Sequence, residues 1–293
     1  MAIKHSRLDR FLLLLNGIFL AIAVLVVVIP LLYVVVASFM DPSALLSRGL
    51  SFKLSDWSVE GYKMILSNPA MIRGFGNAVL YAVSFSVLTV VVSVCAGYSL
   101  SDHRLKGKGL FMTLFIITMF FSGGLVPTYL LVKNLGLLNT VWAVIVPGAV
   151  NVWNIILSRT FFKGVPLELR EAANVDGASE MRIFMQVVLP LSKPIVFVLA
   201  LYAFVGQWNS YFDAMIYLDN PNLHPLQLVL RSILIQNQVQ PGMINDQLAA
   251  AELKRLSEII KYAAIVVSSV PLIIMYPFFQ KYFEKGVMVG SLK

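Results

Sequence analysis

The sequence predicts an all-α, polytopic membrane protein with six transmembrane helices, and three observations carry that prediction. Of its 293 residues, 58% are hydrophobic and only 13% charged, far from the balance of a water-soluble domain. Six nearly uncharged runs are each long enough to cross the hydrocarbon layer, which takes about 20 residues of helix. The basic residues gather in alternate connections, as they do when short loops stay on the inner side of a membrane.

The runs cover 11–39, 77–100, 110–132, 134–158, 194–218 and 262–280. Each is read as one helix, because a span must satisfy every backbone hydrogen bond without water, and barrel strands would alternate apolar with polar residues. The first run, FLLLLNGIFLAIAVLVVVIPLLYVVVASF, is apolar on every face. It is too long for a signal-peptide core and no small-x-small cleavage site follows it, so it is expected to remain as a helix. Residues 1–10 and 281–293 then form tails, and 11–280 the membrane domain.

Charge sets the orientation. Fourteen of the 23 basic residues fall in segments 1–10, 101–109, 159–193 and 281–293, which places these segments and both termini in the cytoplasm. The net charge of +8 thus reflects membrane topology, since no basic stripe interleaved with aromatics suggests nucleic-acid binding. The single cysteine, Cys95, cannot form an internal disulfide and is expected to be a small buried packing residue. His5, His103 and His224 lie in different connections and show no metal spacing.

The inner segment 159–193 contains the most polar text between two runs, REAANVDGASEMRIFMQVVLPLSKP. Pro166 suits a first helical turn, Glu168 and Glu171 sit near its positive end, and Ala172 and Ala173 favour helix without bulk. Asp176 and Gly177 stop that helix, glycine accepting the left-handed conformation of a chain reversal. A second helix is expected from about Ser179 to Val188, ended by Pro190 and Pro194. The product is a helix-turn-helix at the membrane surface, either a plain amphipathic connector or a docking element.

In the fifth run, Gln207, Trp208, Asn209, Tyr211 and Asp213 combine ring faces with hydrogen-bonding groups, a surface suited to sugars or to a membrane interface. Asn209 and Asp213, four apart on one helix, are expected to share a face. Ser122, Gly123, Gly124 and Pro127 mark a close-packed or a broken helix, helix packing being favoured for the glycines. No HExxH, GxSxG or paired intramembrane carboxylates suggest an enzyme. The only Gly-Lys pair, Gly107-Lys108, precedes glycine, so no phosphate-binding GxxxxGK[ST] loop is present.

Glu171, Ala172 and Ala173, then Gly177, then Val187, Leu189 and Pro190 together resemble the EAA loop of permeases in bacterial ATP-binding-cassette importers. The texts LLVKNLGLLNTVWAVIVP and QWNSYFDAMIYL are similar to the sugar-importer branch related to the maltose permeases. The match is densest from Phe121 to Leu218, with Val187 where relatives often have Ile and Ser210 where they often have Asp. FSGGLVPTYLLV resembles a sub-branch carrying larger or acidic oligosaccharides, alginate among them.

The resemblance implies a multi-pass inner-membrane permease subunit with no ATPase site and no cofactor of its own. ATP and Mg would be used by two partner ATPase subunits, which the loop Glu171, Ala172, Ala173, Asp176, Gly177, Leu189 and Pro190 would engage. A second, different permease chain and an extracytoplasmic sugar-binding protein would complete the importer, with an oligosaccharide passing Gln207, Trp208, Asn209, Tyr211 or Asp213. The tail 281–293 would reach the ATPases or serve as a basic anchor. The alternative is a secondary transporter driven by an ion gradient, which would need intramembrane carboxylates and inverted repeats.

Overall fold

The computed structural model describes residues 6–236 except Phe52, together with Arg255, 260–278 and Gln280. The described residues are helical throughout, their sole β pairing being an isolated bridge between Met40 and Trp57. In chain order the helices are α1 (Arg7–Ser38), α2 (Pro42–Arg48), α3 (Glu60–Ser67), α4 (Pro69–Ser101), α5 (Lys108–Phe120), α6 (Leu125–Asn134), α7 (Trp142–Ile145) and α8 (Val152–Lys163). They continue with α9 (Leu167–Val175), α10 (Glu180–Ile183), a π-helical turn (Phe184–Val188), α11 (Leu189–Leu191), α12 (Lys193–Asn209), α13 (Phe212–Tyr217), α14 (Leu226–Gln236) and α15 (Ile260–Phe278).

The chain divides into two compact units, Met1–Asn68 with Ser232–Ser269, and Pro69–Arg231 with Val270–Lys293. In the first, α1 opens with a capping box in which the Ser6 hydroxyl accepts from the Asp9 N–H at 3.1 Å and the Asp9 carboxylate accepts from the Ser6 N–H at 2.8 Å. No residue of its most apolar stretch is buried, as suits a lipid-facing helix. Asp41 caps α2, Pro42 fills its first position, and Gly49 ends it at φ +74. Phe39 packs on Tyr62 with ring centres 4.9 Å apart, and Arg255 reaches Glu60 at 3.1 Å.

The second unit is organised around α4, a 33-residue helix against which α8 and α12 pack. A small residue recurs at almost every turn of its buried side: Gly74, Ala78, Ala82, Ser86, Thr89, Ser93 and Gly97. Residues three or four apart share a helix face, so this stripe lets neighbouring backbones approach closely. Its N-terminal end is tied down by Asn77, whose Nδ2 donates to the carbonyls of Asn222 at 2.8 Å and His224 at 3.1 Å.

Among the described residues three helices are long and apolar enough to cross a membrane, α1, α4 and α15, and two bent pairs raise the possible spans to five. The run 110–132 is not one helix. It breaks at Phe121–Gly124 into α5, only 13 residues long, and α6, set 113° apart. Gly124 adopts φ +88, and a β-carbon on it would meet nothing within 4 Å. These glycines therefore break the helix rather than pack it, the opposite of the favoured expectation.

The run 134–158 is likewise divided. Left-handed Gly136 and Asn139 precede α7, and Pro147-Gly148 separates α7 from α8. The run 194–218 stops at Asn209 and resumes as α13. Two further expectations change with this geometry. Asn209 and Asp213 do not share a helical face, because Ser210 is extended between them, and Cys95 is exposed on α4 rather than buried. The N-terminal residues 1–5 and the tail 281–293 lie outside the described residues, as do residues 237–254 of the connection after α14.

Candidate coupling loop and translocation cavity

The segment after α8 folds as its residues dictate. Pro166 precedes α9, Glu168 lies in its first turn, and Asp176 caps its end. Gly177 then turns the chain at φ +75, its N–H donating to the Asn174 carbonyl at 3.0 Å while the Ala178 N–H donates to that of Ala173 at 3.0 Å. Ser179 caps α10, its hydroxyl accepting from the Arg182 N–H at 3.4 Å. Pro190 has no N–H for the Gln186 carbonyl and would crowd it; the wider π turn Phe184–Val188 precedes it. At Ser192 the arm Glu180–Leu191 meets α12 at 79°.

This elbow has a buried root and an exposed ridge. Ile183, Phe184 and Val188 join Val94 of α4, Phe162 of α8, and Ile195 and Leu199 of α12 in one apolar cluster, with Ala173, Ala178 and Leu189 packed on its edge. Burying side chains of this size contributes about 1.5–3 kcal/mol each. Glu171, Ala172, Val175, Asp176 and Gly177 stay exposed, as does Pro190. Open space surrounds Gly177, so its backbone conformation, not crowding, requires glycine there.

The loop between α4 and α5 lies beside the elbow. The Arg104 guanidinium holds the Asp102 carboxylate at 2.8 Å and also contacts Glu180 of α10. The Arg104 hydrogen bond, opposed by partial burial and helped by the Arg104 charge, lowers the Asp102 pKa to about 2. Deeper in the unit, Arg159 Nε donates to the Leu100 carbonyl at 3.1 Å.

Beside the middle of α4 a cavity of about 300 Å³ opens among α4, α8 and α12. Its polar wall is Thr89, Asn151, Asn154, Tyr202, Gln207 and Ser210, with the Phe85 ring beside them. None of the lining side chains is charged. Thr89 is 1% exposed, and its hydroxyl has no hydrogen-bond partner. The Gln207 amide donates to the Val144 carbonyl at 3.3 Å, and Asn151 caps α8 by accepting from the Asn154 N–H at 3.1 Å.

Of the expected path residues, Gln207 lies in this wall. Trp208 does not; it is 1% exposed, stacked on Phe204 and edge-on to Phe75. Asn209 donates back to the Val205 carbonyl at 2.9 Å. Tyr211 carries the Arg231 guanidinium 4.6 Å over its ring, and Asp213 is exposed in the first turn of α13. The sequence reading missed Thr89, Asn151, Asn154 and Tyr202. Their signal was polarity within apolar runs, concealed for Asn151 and Asn154 by taking 134–158 as one uninterrupted helix. Among the described residues no three His, Cys, Asp or Glu side chains converge on a possible metal site.

Comparison with known proteins agrees with this architecture. Residues 90–289 match the family described as "Binding-protein-dependent transport system inner membrane component". Protein LplC of Bacillus subtilis (strain 168) is 36% identical over 95% of this chain and 93% of its own length. The polygalacturonan/rhamnogalacturonan transport system permease protein YtcP of the same organism is 35% identical over 94% and 96%. Among solved structures, a bacterial ABC transporter involved in import of the acidic polysaccharide alginate has a chain that superposes with a TM-score of 0.83. That chain is 32% identical, and the match covers 96% of this chain and all of that one. A matched family model over most of the length, near-full-length relatives and a shared fold make this chain a member of the binding-protein-dependent transport system inner membrane components.

Proposed function

We propose that the chain forms half of the translocation pathway of an ATP-driven, binding-protein-dependent oligosaccharide importer in a bacterial inner membrane, with both termini in the cytoplasm. The observation that carries this reading is the elbow itself: an exposed ridge bearing Glu171, rooted in a core shared with α4, α8 and α12. A force on that ridge has a packed route into the membrane helices. The ridge docks on a pair of ATPase subunits that hydrolyse ATP with the help of Mg, and a second, different permease chain completes the pore.

The substrate path runs past Gln207 and the carboxamides and hydroxyls around it, which suit sugar hydroxyl groups, while Phe85 and Tyr202 offer ring faces. An extracytoplasmic binding protein delivers the sugar. The similar polygalacturonan/rhamnogalacturonan transport permease and the similar alginate importer support larger or acidic oligosaccharides as the substrate class.

The test is to purify the chain with the ATPase subunits that accompany it, reconstitute the complex in vesicles, and screen oligosaccharides with the binding protein for stimulated hydrolysis. Stimulation by uronic-acid oligosaccharides is expected. Uptake that ignores nucleotide and collapses when an ion gradient is dissipated would overturn the reading.

A further inference from the structure

The inner end of α4 is joined to both arms of the elbow by two side chains that topology alone would treat as loop polarity and membrane-interface aromatic. Arg104 contacts one oxygen of the Glu180 carboxylate, 76 residues away in sequence, and Tyr98 Oη lies 3.3 Å from the other. The Tyr98 ring packs 4.6 Å from Phe184 in the π turn and stands edge-on to Phe162 of α8 at 6.0 Å. Arg170 of α9 lies 4.9 Å over the same ring and extends to the Ser101 hydroxyl and the Phe162 carbonyl, each at 3.4 Å. One residue of α4 thus touches α8, α9, α10 and the π turn.

We propose that Tyr98 and Arg104 are positioning residues that hold the inner end of α4 in fixed register with the coupling elbow. Movement imposed on the Glu171 ridge then reaches α4, and through it Thr89 in the cavity wall, as the shift of one body. The inference rests on the coupling role assigned above. An apolar cluster attracts without direction and permits sliding, whereas the guanidinium and hydroxyl fix two atoms of one carboxylate. With Arg104 and Glu180 side chains 54% and 52% exposed, the pair adds little to stability. Its contribution is geometric, so variants can separate positioning from folding.

Cys95, the chain's single cysteine, is exposed three residues before Tyr98, and Met185 is exposed on the elbow's second arm. With partner cysteines removed, spin labels on Cys95 and Met185→Cys report the α4-to-elbow distance in the full reconstituted importer. Pulsed resonance compares the nucleotide-free complex with one trapped by MgATP and vanadate. The two distances should agree within about 2 Å, the scale of a helix shift at a switching interface.

In Arg104→Gln and in Tyr98→Phe the trapped state should instead show a shifted or broadened distribution. Arg104→Lys, which keeps the charge between Asp102 and Glu180, should restore the narrow one, a rescue that a merely structural role would not give. A native distance that changes on trapping, or single variants that keep it fixed, would overturn the proposal. A third label on the ATPase distinguishes the two claims: if the Met185 position never moves with nucleotide relative to that subunit, the coupling reading itself fails and takes this inference with it.

Discussion

Gly97 of α4 lies directly against Ser158 of α8: a β-carbon at Gly97 would stand 2.9 Å from the Arg159 backbone nitrogen and closer still to the Ser158 hydroxyl. That hydroxyl donates to the Ser93 carbonyl at 2.7 Å, one turn earlier on α4. Gly97→Ala must therefore push the helices apart, and overpacking of this kind costs about 1–3 kcal/mol. Gly76 of the same helix meets nothing within 4 Å, so Gly76→Ala should be neutral or stabilising by up to about 1 kcal/mol. Melting temperatures of the two variants in detergent should move in opposite directions, or the first alone should fall.

At the elbow, a side chain at Gly177 meets backbone strain, not collision. Gly177→Val should lose ATP-dependent uptake, a β-branched residue being least tolerant of positive φ, whereas Gly177→Asn should retain much of it. Glu171 is exposed and makes no ion pair among the described residues. Glu171→Lys should therefore leave membrane yield and melting temperature unchanged while lowering uptake by about tenfold or more, as reversal of a docking charge does. Parallel measurement of yield and uptake separates the two effects.

The Thr89 hydroxyl carries the cost of burial without a partner. Replacing it by a methyl group of similar shape, Thr89→Val, should stabilise the chain by about 1 kcal/mol. That gain corresponds to a melting rise of roughly 2 °C. Transport of the cognate sugar should fall at the same time, because the cavity wall exchanges a polar group for an apolar one. A stability gain with unchanged transport would place Thr89 outside the path.

Asp102 provides a pH signature. Its folded pKa, near 2, lies below the ordinary carboxylate value of 3.8, so its contribution is fully present above about pH 4 and disappears as pH falls through 2. The difference in melting temperature between the native chain and Asp102→Asn should be flat from pH 7 to about 4.5 and shrink below that. A difference that instead closes between pH 7 and 5 would assign it to another group.

Long uniform runs were legible in the sequence: α1, α4 and α15 fall where apolar residues accumulate, with α4 starting eight residues before its run because Pro69 can begin a helix. The turn at Gly177 was legible too, since left-handed backbone has few residue choices. The breaks were not. Hydropathy sums side chains, whereas α5 and α6 are parted by the backbone of Phe121–Gly124, and α7 and α8 by Pro147-Gly148. Asn209 and Asp213 were assigned one face on the assumption of a continuous helix, and Asn151 and Asn154 went unnoticed for the same reason. Trp208 showed the converse: a sugar-stacking residue type occupied by Phe75 and Phe204.

The near-right-angled meeting of the elbow's second arm with α12 gives the elbow leverage over the cavity. At 79°, a push along the arm runs across α12 and tilts that helix instead of sliding it. Gln207 stands 14 residues beyond Lys193, about 21 Å along the axis, so a tilt of about 5° sweeps it through roughly 2 Å. Its amide sits at 3.3 Å from the Val144 carbonyl, a distance that such a sweep abolishes. A tilt of a few degrees about the Ser192 corner is thus enough to part the Gln207 amide from its protein partner and free it for another.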